Sequence, residues 1–217
     1  MAGRGLCSIA ALASLCQGDI GLRRESLDVQ WVATSRQAAS AALEWVHVDV
    51  SDTFVELGCG DGRVALEAAQ RGARAVCVER DAVLAAKARQ HLTSSGHSDL
   101  VEVTEIDLFE ANLTDATVIF LFLLPELNSA LRPTLASAPR LRAVVSHKFE
   151  VYGWPCGERL RTDDTLFLKW ERPFAPGADV QAVAPTDEDA FHEALVEHAI
   201  ECGVEEIDVG AEAHSVT

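Results

Sequence analysis

The chain has 217 residues, of which 48% are hydrophobic, and this is enough for one α/β domain with extensions at its ends. No apolar run approaches the roughly 20 residues that cross a bilayer, so no transmembrane span is predicted. The net charge is −16, and residues 175–217 hold eleven acids but no Lys or Arg. This acidity repels phosphate groups and argues against a nucleic acid partner.

Residues 1–24 contain Arg4, a stretch of small and apolar residues, and Arg23-Arg24, with acids nearly absent. This composition fits either an organelle-targeting segment, as for the mitochondrion, or a frayed N-terminal helix. The six cysteines stand at positions 7, 16, 59, 77, 156 and 202, without C-x-x-C pairs. We therefore predict neither a disulfide framework nor a metal site, and an intracellular location, cytoplasmic or mitochondrial.

Helices and strands alternate in the predicted order of elements. Thr34-Ser35 signals the start of a helix over 36–46. Strands are predicted at 53–57, 75–79, 101–105, 117–123, 142–147 and 165–170, and helices at 61–71, 82–94 and 125–135. This alternation indicates a doubly wound, mostly parallel α/β sheet. We expect the main domain to span 25–174 and to be followed by an acidic tail at 175–217 with a helix at 187–202.

The turn Gly58-Cys59-Gly60-Asp61-Gly62 follows directly on the first strand, which ends in Glu56 and Leu57. Glycine is required where the chain turns tightly and where a Cβ would collide with a bound ligand. The amides of the following helix present a positive pole to that ligand. The spacing G-x-G-x-G is one residue shorter than the G-x-G-x-x-G of dinucleotide dehydrogenases. It therefore points to S-adenosylmethionine rather than to NAD.

Two further acids follow the next predicted strands. Glu79 ends the second strand, where a carboxylate accepts hydrogen bonds from ribose hydroxyls. Asp107 follows the third strand and is placed to bind the adenine amine. Because carboxyl ends of parallel strands share one edge of a sheet, Glu56, Glu79 and Asp107 are predicted to meet at the cofactor.

Residues 27–173 resemble the class I S-adenosylmethionine-dependent methyltransferases. The stretches LDVQWVATS, VELGCGDGRVALEAA, LFLLPELNSALRPTL and VVSHKFEVYGWP follow the order of a bacterial group. That group is related to the mitochondrial lysine methyltransferases that act on ATP synthase subunit c and the adenine nucleotide translocase. The resemblance implies a seven-stranded, Rossmann-like sheet, S-adenosylmethionine as cofactor, and a protein lysine or a small amine as acceptor. Trp31 and Thr34 match family positions that close over the cofactor, and Ala33 replaces the family's proline.

The turn after the fourth strand is Leu124-Pro125-Glu126, whereas amide and base N-methyltransferases carry Asn-Pro-Pro-Tyr there. This difference argues against DNA or glutamine as acceptor. Glu126 either accepts from the acceptor amine or complements the helix dipole. Asn128 either holds the amine or lies on the helix surface, and His147 is either a base or a core histidine.

Tyr152 and Trp154 either line the methyl pocket by cation–π contact or pack the loop that carries them. Residues 187–217 faintly resemble a fragment of YebC-type regulators of gene expression. The alternative to an enzyme is therefore a non-catalytic regulator that uses the fold as a scaffold. Glu56, Gly58, Gly60 and Glu79 together favour the enzyme, because a scaffold has no reason to keep them.

Overall fold

A seven-stranded sheet forms the centre of the computed structural model, which describes residues 32–162, 165–174 and 188–203. The strand order is β3-β2-β1-β4-β5-β7-β6. Strands β1 to β5 pair in parallel, and β7 is antiparallel to both of its neighbours. This confirms the predicted mostly parallel sheet. The strands are β1 Thr53–Leu57, β2 Arg74–Val78, β3 Val101–Thr104, β4 Val118–Leu121, β5 Ala143–His147, β6 Glu158–Arg161 and β7 Leu166–Glu171.

The helices begin where the sequence offers capping residues. Ser35 Oγ accepts from the amide of Ala38, and an Asp81 carboxylate oxygen accepts from two amides of the next helix. Pro125 occupies the first turn of its helix, where a missing N–H costs nothing. The helices are α1 Arg36–Trp45, α2 Arg63–Gln70, α3 Ala82–Ser94, α4 Pro125–Ser137 and α5 Glu188–Glu201, with a 3₁₀ helix at Leu108–Glu110. None of these described helices is both long and apolar enough for a membrane span.

Both faces of the sheet are covered, which is why the central strand β4 is apolar throughout. Phe54 and Phe120 pack on one side with residues of α1 and α2. Leu57 and Leu121 pack on the other side with residues of α4. β4 is buried at every position.

The strand register sets the place of the functional site. Leu57, the last residue of β1, pairs with Val78 of β2 and with Leu121 of β4. The chain therefore leaves β1, β2 and β4 at one edge of the sheet. The glycine turn, Glu79 and the loop after β4 meet there.

The structure pairs four cysteines in two disulfides, so the prediction of unpaired cysteines is wrong. One joins Cys59 to Cys77, 18 positions apart, and the other joins Cys156 to Cys202, 46 positions apart. In each pair the Cα atoms are 5.3 Å apart. The first pair forms because β1 and β2 are parallel neighbours, which places the residue just past β1 beside a residue of β2. Spacing along the sequence does not show which strands are neighbours.

Candidate active site

All three glycines of the turn have left-handed backbone conformations, with φ of 77° at Gly58, 56° at Gly60 and 74° at Gly62. A Cβ at Gly58 would lie 2.9 Å from Leu123 Cδ2, and one at Gly62 would lie 3.1 Å from Ala88 Cβ. The turn therefore requires glycine for its backbone conformation and for its close packing. The Leu123 contact also places the loop after β4 directly against the turn.

Glu79 fastens the glycine turn to the end of β2. Its Oε2 accepts from Gly60 N at 2.9 Å, and its Oε1 accepts from Asp81 N at 2.9 Å. The residue is 8% exposed. Since each carboxylate oxygen has two lone pairs, both still have capacity to accept from hydroxyl groups. This geometry suits the predicted ribose contact.

Glu56 is a buried acid under the first turn of α2. Its Oε2 accepts from Ala65 N at 2.9 Å. Burial raises the pKa of Glu56 well above its usual value; the Ala65 hydrogen bond opposes this, while the charges of Asp61 and Glu79 add to it. A cationic group bound nearby would favour the ionised carboxylate.

Asp61 and Arg63 form an ion pair beside the turn, with Arg63 Nη2 2.5 Å from Asp61 Oδ2. Burial disfavours the Asp61 carboxylate, but the hydrogen bonds and charge of Arg63, with a smaller effect of His91, together outweigh burial and lower the Asp61 pKa. Arg63 Nη1 also donates to the carbonyl of Thr34 at 3.5 Å. The ion pair thus joins the turn to the segment that precedes α1.

Thr34, predicted to close over the cofactor, is 4% exposed and lies between two parts of the site. Its Oγ1 is hydrogen-bonded to His147 Nδ1 at 2.8 Å. Its carbonyl accepts from Arg63, as described above. Trp31, the other predicted lid residue, lies outside the described residues, as do 1–24.

His147 is enclosed by aromatic rings and hydroxyls at the end of β5. Its Nε2 is hydrogen-bonded to Thr165 Oγ1 at 2.6 Å, and its ring centroid lies 3.8 Å from that of Phe122. Burial, with a smaller effect of Lys148, lowers the pKa of His147 from 6.5 to about 4. Both ring nitrogens are hydrogen-bonded to side-chain hydroxyls. Of the two predicted roles, base or core histidine, this geometry suits the core histidine.

Asn128 is fully buried in α4 and does not lie on the helix surface. Its Nδ2 is 3.2 Å from Ser146 Oγ and also donates to the carbonyls of Phe149 and Glu150. Its Oδ1 has no hydrogen-bond partner among the described residues. Asn128 thereby ties α4 to the loop after β5. Glu126 stands two residues earlier in the first turn of α4, and it is only partly buried.

The remaining candidates separate into two regions. Asp107 lies beyond β3 and caps the 3₁₀ helix, with Oδ1 accepting from Phe109 N at 3.0 Å. Trp154 is buried against Trp170 and Phe174, so it packs its loop instead of lining a methyl pocket. Leu123 and Phe122 could not be predicted as site residues, because their contacts join segments that are distant in sequence.

Comparisons with known proteins identify the family of the chain. A family model described as the ANTKMT methyltransferase domain matches residues 56–158. A protein-lysine N-methyltransferase of Saccharolobus islandicus (strain REY15A) is 33% identical over 140 residues, covering 63% of this chain and 86% of that protein. The adenine nucleotide translocase lysine N-methyltransferase of Mus musculus is 33% identical over 157 residues, covering 70% of this chain and 67% of that protein.

A solved structure, titled as an RNA methyltransferase from Salinibacter ruber in complex with S-adenosyl-L-homocysteine, is 38% identical with a TM-score of 0.61. The match covers 64% of this chain and 93% of the Salinibacter ruber chain. Because that protein is described as an RNA methyltransferase, the exclusion of nucleic acid made from the sequence is not supported. The chain belongs to the family of the ANTKMT methyltransferase domain and is an S-adenosylmethionine-dependent methyltransferase.

Proposed function

We propose that this methyltransferase modifies lysine side chains of a protein. The observation that carries the proposal is the 33% identity across 86% of a protein named as a protein-lysine N-methyltransferase. The acidity of the chain supports it, because a net charge of −16 attracts lysine-bearing surfaces. A small amine remains the alternative acceptor of the same chemical type.

The residues at the edge of the sheet fit S-adenosylmethionine. The glycine turn holds three left-handed residues at the carboxyl end of β1, and Glu56 and Glu79 beside it offer carboxylates to a ligand that carries positive charge. We assign Glu79 to the ribose hydroxyls, Asp107 to the adenine amine, and Thr34 with Trp31 to the cover of the site. When bound, S-adenosylmethionine would supply a methyl group on a sulfonium: an unprotonated amine would attack the methyl carbon in line, and the C–S bond would break to leave S-adenosylhomocysteine.

The protein has to orient the acceptor amine and remove its proton. A lysine ammonium has a pKa of about 10.4, so it needs help to become a nucleophile near neutral pH. Glu126 stands on the first turn of α4, three residues after the Leu123 that lies against the glycine turn. We assign Glu126 to attract the ammonium and accept its proton. Asn128 and His147 position the elements around it, through the contacts to Ser146 and Thr34.

Methyl labelling separates the acceptor classes. The full chain is incubated with methyl-labelled S-adenosylmethionine and a cell lysate, and aliquots are then digested with protease or with nuclease. We expect protease to release the label and mass spectrometry to find methyl-lysine in the peptides. Label that only nuclease releases would overturn the lysine assignment in favour of RNA, the substrate class that the Salinibacter ruber title names.

Two variants test the assigned residues. Gly60→Val places a β-branched residue at φ 56° beside Glu79, so we expect it to abolish cofactor binding in calorimetry with an unchanged circular dichroism spectrum. Glu126→Gln should lower kcat by roughly 10²-fold, as for loss of a general base, and leave cofactor affinity unchanged. Glu102→Gln, an exposed acid of β3, is the matched control. A wild-type kcat in Glu126→Gln would exclude the assigned role.

A further inference from the structure

A cluster of metal-type ligands lies where α5 meets the core, outside the methyltransferase site. One ligand atom from each of Glu150, His198 and Cys202 lies within 4.8 Å of the other two. The sulfur of Cys156 is bonded to that of Cys202 and so belongs to the same cluster. His198 and Cys202 are four residues apart at the end of α5, a spacing that puts both side chains on one face.

The distances suit a four-coordinate site once the two sulfurs are reduced. Cys202 Sγ and His198 Nε2 are 3.7 Å apart. Zinc holds sulfur at about 2.3 Å and nitrogen at about 2.0 Å in a tetrahedron, which puts neighbouring ligand atoms about 3.5 to 3.8 Å apart. The Cys156 and Cys202 sulfurs only have to separate to that distance, and the Cα atoms that carry them are 5.3 Å apart.

Glu150 gives an independent indication of a ligand. The residue is 9% exposed, and its Oε2 accepts from Gly157 N at 3.3 Å. Its Oε1 is buried and makes no hydrogen bond among the described residues; it lies 3.6 Å from Arg159 Nη2, which is an ion pair without a hydrogen bond. A buried carboxylate oxygen usually accepts at least one hydrogen bond in a folded protein. A metal ion in the cluster would give this oxygen the short contact that it lacks.

The surroundings of the cluster suit a bound cation. Two thiolates and a carboxylate around a divalent ion leave a net charge of −1, which the neighbouring Arg159 guanidinium offsets. The Tyr152 ring meets the His198 ring edge-on, with centroids 5.5 Å apart, and this contact restrains the imidazole.

We propose that Glu150, Cys156, His198 and Cys202 bind one divalent metal ion of the zinc class when the Cys156–Cys202 disulfide is reduced. A phosphine reductant breaks the S–S bond, with water supplying two protons to the thiols and its oxygen to the phosphine. Metal binding then displaces the two thiol protons and forms two metal–sulfur bonds. The disulfide and the metal would each fasten α5 to the loops around β6, one in the oxidised and the other in the reduced protein.

Cobalt(II) titration of the phosphine-reduced full chain tests the proposal, since thiolate-to-cobalt charge transfer reports sulfur ligands directly. We expect one equivalent to bind with a charge-transfer band and zinc to displace it. Cys156→Ser and Cys202→Ser should each weaken the band, because one thiolate remains, and the double variant should lose it. His198→Ala and Glu150→Gln should weaken binding more than tenfold, because loss of outer-shell partners alone costs about 10- to 100-fold. His97→Ala, a histidine of the loop after α3, is the matched control and should bind as wild type.

Circular dichroism of every variant checks that it folds. If a cysteine variant does not fold, Glu150→Gln still tests the site, because glutamine has nearly the same shape as glutamate. Absence of a charge-transfer band in the reduced wild type would overturn the proposal. So would an unchanged band in the Cys156→Ser/Cys202→Ser double variant, because the metal would then sit on other cysteines.

Discussion

The neutral, buried imidazole of His147 should make the protein less stable in mild acid. The folded chain holds the pKa of His147 at about 4, against 6.5 for an ordinary histidine. As pH falls below about 6.5, His147 becomes protonated in the unfolded chain but stays neutral in the folded chain, so the free energy of unfolding decreases. The loss continues until the pH reaches about 4. A pKa difference of this size corresponds to about 3 kcal/mol.

His147→Gln isolates this contribution, because glutamine does not titrate and its amide has a donor and an acceptor for Thr34 and Thr165. Urea unfolding at about pH 7.5 and about pH 4.5 gives the free energy of unfolding for wild type and variant. We expect wild type to lose about 2 to 3 kcal/mol more than the variant between the two conditions. Carboxylates and His198 titrate alike in both proteins and so cancel in this difference.

His97→Ala is the control, since this variant should keep the wild-type pH dependence. Equal losses in wild type and His147→Gln would refute the reasoning. They would show that His147 titrates in the folded protein as it does in the unfolded chain.

The same geometry supports three further expectations. Gly58→Ala, strained by about 1 to 2 kcal/mol at its positive φ and pressed against Leu123, should lower cofactor affinity at least tenfold in calorimetry while its circular dichroism spectrum stays that of wild type. Glu79→Gln turns an amide nitrogen toward a backbone N–H donor, and an affinity loss of about 1 to 3 kcal/mol should follow in the same assay. Arg142→Ala leaves the buried Asp52 carboxylate without its ion pair. In urea unfolding it should therefore lower the free energy of unfolding by about 2 kcal/mol, with cofactor affinity unchanged. A cofactor affinity at the wild-type value in both of the first two variants would contradict the site assignment.

The main strands could be predicted to within about two residues because they are buried on both faces. A fully buried parallel strand is an apolar run with polar turns at its ends, and β4 is such a run. The strand β6 was missed for the opposite reason. It is an outermost strand of the sheet and carries Glu158, Arg159 and Arg161, so its sequence shows neither an apolar run nor a regular alternation of polar and apolar residues.

The contact between the glycine turn and Glu79 could be predicted for a related reason. Glycines in a turn and acids at strand ends are visible in the sequence, and parallel topology alone brings them to one edge. The partners of His147 could not be predicted, since Thr34 is 113 positions away and the contact depends on how the segment before α1 crosses the sheet edge. The disulfides depend on neighbouring elements in the same way.

Four contacts link the glycine turn, the loop after β4, His147 and the segment before α1 into one unit. Leu123 touches the glycine turn, Phe122 packs on His147, His147 is bonded to Thr34, and the Thr34 carbonyl accepts from Arg63 beside the turn. These contacts form a closed ring, so a change at one of them can reach the others. The Phe122–His147 packing and the Thr34 hydrogen bond share one imidazole, so their contributions should not be additive. A Phe122→Leu/Thr34→Val double-mutant cycle in cofactor affinity should therefore give a coupling energy above about 0.5 kcal/mol. Additive single effects would mean that Phe122 and Thr34 influence cofactor affinity independently.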